Sequence, residues 1–130
     1  MPERPALDEE ARDADVEDAH PIHDVSKIDV ATTTDKGARY GLVIAEPARG
    51  DATTQRRLLD KLEAYIGDFY SPRFASEYGQ PTPEYCCITV AIHRESDPSI
   101  FELLERCRPW VEGNHISFRV TTNLGGIAWH

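Results

Sequence analysis

The chain has 130 residues, 40% of them hydrophobic, which is the size of one ordinary domain and enough for a single core without disulfide or metal staples. Its net charge of -9 is uneven: residues 1–26 hold nine acids and two bases, a net of -7, and residues 27–130 hold 14 acids and 12 bases, a net of -2. This balance lacks the basic footprint that nucleic-acid phosphates require, and no apolar run approaches the roughly 18 residues that span a bilayer. Three cysteines, two of them adjacent, make no disulfide framework, and the start has neither a positive region nor an apolar one of the kind a secretory signal needs. A cytoplasmic protein is expected.

Residues 1–25 combine low hydrophobicity with dense negative charge, so burial cannot offset the entropy of ordering them, and they read as a disordered acidic tail. A single α+β domain is expected over 26–130. Ile28, Val30 and Thr32 alternate with Asp29 and Ala31 as a first strand, Thr34 to Gly37 supply a turn, and Tyr40, Leu42 and Ile44 face one way in a second, antiparallel strand. Leu58, Leu59, Leu62, Tyr65, Ile66, Phe69 and Tyr70 then make an apolar helical stripe, with Asp51 or Thr53 as its cap and Pro72 beyond its end. Residues 71–83 read as a long connection. A third strand over Tyr85 to His93 carries Cys86, Ile88, Val90 and Ile92 on its core face.

Asp97 caps a second helix with Pro98 at its first position, and Ile100, Leu103, Leu104, Cys107 and Val111 form its buried stripe. Pro109 predicts a kink or break in that helix, and Gly113 with Asn114 closes it. Ile116, Phe118 and Val120 form a fourth strand, and NLGGIAWH is too short to assign. The order ββαβαβ predicts a two-layer fold: one four-stranded mixed sheet with two helices on one face.

Few residues offer chemistry. Cys86 and Cys87 are strand neighbours that point to opposite faces and cannot chelate one metal together, so with Cys107 they read as small hydrophobes. Cys87 and His93 share a face but stand about 20 Å apart at 3.3 Å per residue, too far for a nucleophile and its base. His20, His23 and Asp24 lack a scaffold to fix metal geometry, and Gly125-Gly126 lacks the pattern of a phosphate cradle. No catalytic residue, metal site or cofactor is assigned. The 71–83 connection is the candidate contact, because Arg73, Phe74 and Tyr78 combine residue types enriched at interface hot spots.

The runs KIDVATTTDKGARYGLVIAE, RRLLDKLEAYIGDFYS and ITVAIH resemble a family of small bacterial proteins of unknown function, in which a strand pair precedes a leucine-rich helix and a further strand. The likeness covers residues 27–122 and implies no catalytic residues. The leading expectation is therefore a non-enzymatic protein-interaction module, immunity-like or accessory, whose partner is another protein or a second copy in a homodimer. The rival is a small-molecule binder or enzyme with a site at the sheet end near His93 and His115.

Overall fold

The computed structural model describes residues 30–44 and 46–122. The expectations for the tail over 1–25, for Ile28 and for residues 123–130 lie outside them.

β1 (Val30–Thr33) and β2 (Ala38–Ile44) form an antiparallel hairpin. Thr34 closes its turn: its amide donates to the Gly37 carbonyl at 2.8 Å, and its hydroxyl oxygen accepts from the amides of Lys36 at 3.2 Å and Gly37 at 3.1 Å. Gly37 is needed here for space, because a Cβ would run into the backbone carbonyl of Tyr85.

α1 (Ala52–Phe69) follows. Asp51 is its cap, accepting from the Thr54 amide at 2.9 Å. The predicted stripe is buried from Leu58 to Phe69, with Leu58, Leu59, Leu62, Tyr65 and Phe69 fully enclosed, but Tyr70, its last member, caps the helix and is exposed. The chain then departs from expectation. Ser71 caps a second helix, α2 (Pro72–Tyr78), through the Phe74 amide, with Pro72 at the first position, where its missing N–H costs nothing. Most of the presumed loop is therefore helical.

β3 (Cys87–Ile92) leads to α3 (Pro98–Glu112), capped by Asp97 as expected, and then to β4 (Ser117–Thr121). Pro109 does not break α3. It sits one turn from the end, and the ladder resumes at once with the Gly113 amide bonded to the Pro109 carbonyl at 2.9 Å. The turn into β4 needs a left-handed residue, which is His115 at φ 66° rather than a glycine.

The strand order is β1-β2-β3-β4, with β2, β3 and β4 mutually parallel, so the sheet is mixed and four-stranded as predicted, with one helix more than foreseen. Tyr40, Ile88 and Phe118 are register neighbours and share one face. On it, α1 packs Phe69 and Tyr65 against Tyr40, α2 packs Phe74 against Phe69, and α3 sets Arg108 over the Phe118 ring. All three helices therefore lie on one side, as right-handed crossovers in a single direction require. Among the described residues no helix is long and apolar enough to cross a membrane.

Candidate functional site

The residues predicted as a contact are divided between the core and the surface. Phe74 is only 2% exposed, its ring edge-on to Phe69 at 5.3 Å and 4.6 Å from that of Tyr78, which is itself half-buried against the core. The physical reason is α2: once residues 72–78 are helical, Phe74 falls on the inner face and becomes an anchor. Arg73 alone stays outside, beside Asp68 at 3.8 Å and Glu77 at 3.7 Å. Beneath it the Tyr40 hydroxyl donates to Asp68, and burial followed by that bond pushes the phenol well above its usual pKa. This corner ties β2 to the end of α1.

The rival site is divided by the sheet. Because β3 and β4 are parallel and Cys87 stands opposite Ser117, His93 follows the last residue of β3 while His115 precedes the first residue of β4. They lie at opposite ends, about 20 Å apart along the strand direction. His93 accepts the Glu95 amide at its Nδ1, at 3.1 Å, within a local turn. Nearby, the Ala48 amide donates to the Ser96 hydroxyl at 2.9 Å and the Asp97 amide to the Ala48 carbonyl at 2.9 Å. These bonds stitch the loops after β2 and β3 together.

The cysteines divide as strand alternation requires. Cys86 and Cys107 are buried in the core, whereas Cys87 points away from the helices, half-buried, its Sγ 3.6 Å from Thr89 Oγ1. Among the described residues no three histidines, cysteines or acids are grouped to hold a metal ion.

What remains is the helix-free face. Register places Arg39, Cys87 and Ser117 in one row across β2, β3 and β4, and Gly41, Thr89 and Arg119 in the next. Thr32 and Val30 of β1 extend the two rows. The side chains are small apart from the two arginines, which are exposed and form no ion pair among the described residues. A third row of Val43, Ala91 and Thr121 behaves differently: Ala91 is fully buried, yet it lies outside the core cluster beneath the helices. The signal for this face stood in the sequence, in the alternation Arg39, Gly41, Val43 and Ser117, Arg119, Thr121. It was unreadable there because nothing local says that every helix crosses on the same side.

No family model matches the chain, and no curated protein or solved structure matches it.

Proposed function

We propose that this is a non-enzymatic protein-interaction module, of the immunity-like or accessory kind, which engages its partner through the helix-free face of its sheet. The observation that supports this reading is a pair of exposed arginines, without an ion pair among the described residues, on a bed of small side chains. Arg39 and Arg119 flank Cys87 and Thr89, so a partner segment can approach the strands closely and meet two guanidinium groups whose forked donors suit carboxylates. Of the aromatics in residues 71–83, Phe74 lies in the core and Tyr78 is half-buried against it.

The experiment is affinity capture from the native host with three baits: wild type, the double variant R39E/R119E, and R73E as a control on the α2 corner. The sheet-face variant should lose its partner, by more than about 1 kcal/mol of binding free energy if either arginine is a hot spot. R73E should retain it. Loss with R73E and retention with R39E/R119E would return the contact to α2 and overturn the reading.

A further inference from the structure

We infer that β1 is the edge through which two copies of this chain join, antiparallel about a two-fold axis at Thr32, so that their sheets become one. The inference does not rest on the reading of the helix-free face, and the pairing leaves that face open.

The hairpin ladder fixes which groups of β1 point outward. The Thr34 amide donates to the Gly37 carbonyl at 2.8 Å, so these two residues are a hydrogen-bonded pair. Antiparallel pairs alternate between bonded and non-bonded, and the register runs without a bulge from Thr33 opposite Ala38 to Val30 opposite Gly41. Thr32 and Val30 are therefore bonded to β2, whereas the amides and carbonyls of Ala31 and Thr33 face away from it. Among the described residues β1 pairs with β2 alone.

Edge strands are ordinarily guarded by lysine, proline, a bulge or a covering element. The sequence VATT has no charge and no proline, and its ladder has no bulge. Ala31 and Thr33 lie opposite Tyr40 and Ala38, on the side of the helices, yet both are exposed. The connections explain this. α1 and α2 join β2 to β3 and α3 joins β3 to β4, so the helix layer stands over those three strands and stops short of β1.

Symmetry identifies the occupant. With Thr32 opposite its own counterpart, Ala31 of each copy opposes Thr33 of the other, and four hydrogen bonds use every outward group of both strands. A two-fold at Ala31 or at Thr33 would join only half of those groups within β1. In the Thr32 register the two Thr32 hydroxyls form a cross-strand pair, and no charged residue of β1 meets its like. The two Arg39 side chains, opposite Thr32 on either side, stand three strand spacings or about 14 Å apart, beyond the screening length of roughly 8 Å at physiological salt. Stacking the two helix-free faces would instead set arginines against arginines. Opposed residues share a face, so both helix layers fall on the same side of the joined sheet, and each is set back from the junction.

The test is sedimentation equilibrium on the full chain, from about 10 μM to about 1 mM, where a small interface becomes populated. Ala31→Pro removes an outward N–H and spares the ladder to β2, because proline is tolerated where the missing N–H faced away from the sheet. Thr32→Lys and Thr32→Glu each set like charges against each other at the two-fold, and an equimolar mixture of the two sets opposite charges there. Near-ultraviolet circular dichroism checks that each variant is folded.

Wild type should dimerise within this range. Each substitution enters the interface twice, so the dissociation constant should rise by about tenfold or more in Ala31→Pro, Thr32→Lys and Thr32→Glu alone. The Lys and Glu variants mixed should regain the dimer. A wild type that stays monomeric throughout would overturn the inference, as would a dimer whose constant is unchanged in Ala31→Pro. Failure of the mixture to outdo its two components would equally overturn it, because the two-fold would then not pass through Thr32.

Discussion

Leu62 and Phe74 show what single side chains contribute to this fold. Both are enclosed, Leu62 in mid-stripe on α1 and Phe74 between the rings of Phe69 and Tyr78. Leu62→Ala should cost about 2–5 kcal/mol and Phe74→Ala about 3–5 kcal/mol, through lost transfer energy and the cavity left behind. Urea denaturation checks both: an unchanged midpoint for Phe74→Ala would mean that its ring is free to serve a partner after all. Tyr40 adds a dependence on pH. Its phenol ionises near 10.0 when unfolded and at a higher pH when folded, because burial and the bond to Asp68 favour the neutral form. The unfolded chain thus sheds its proton first as pH rises, and the contribution of Tyr40 is complete below pH 10 and lost from there upward. Stability measured from pH 8 to 11 should fall less steeply in Tyr40→Phe than in wild type. Identical slopes would contradict the assignment.

Two glycines test how the elements are built. Gly67 sits exposed near the end of α1 with open space where a Cβ would go, so Gly67→Ala should stabilise by roughly 0.5–1 kcal/mol, the usual difference in a helix interior. Gly37→Ala should destabilise, because the Tyr85 backbone occupies that space and moving it disturbs the approach to β3. Thermal unfolding should move the midpoint up for the first and down for the second; equal shifts would mean that the hairpin does not abut residue 85. Element by element, the regular parts were legible in the sequence. The stripe of α1, the alternation of β2 and β3 and the Asp97-Pro98 start of α3 are local patterns, and each matches its element. α2 was missed because seven residues bounded by Pro72 and Gly79, near Pro81 and Pro83, look like turn chemistry, although Ser71 with Pro72 was a readable start signal. The helix-free face was not legible for a different reason. Whether Arg73 or Arg39 faces a partner depends on burial and on crossover direction, and neither is a property of a short window.

At the scale of the whole molecule, the three helices among the described residues lie on one face of a mixed sheet and concentrate the core on that side. At β4, Arg108 donates to the Phe118 carbonyl at 2.9 Å while pairing with Glu105 and Glu112, which takes up a backbone acceptor that strand addition would otherwise use. The most direct test of this account is site-specific photo-crosslinking in the native host, with the photoreactive residue at Thr89 on the helix-free face or at Ala75 on the exposed side of α2. The account predicts a crosslinked protein from position 89 and none from position 75. Crosslinking from 75 alone would contradict it.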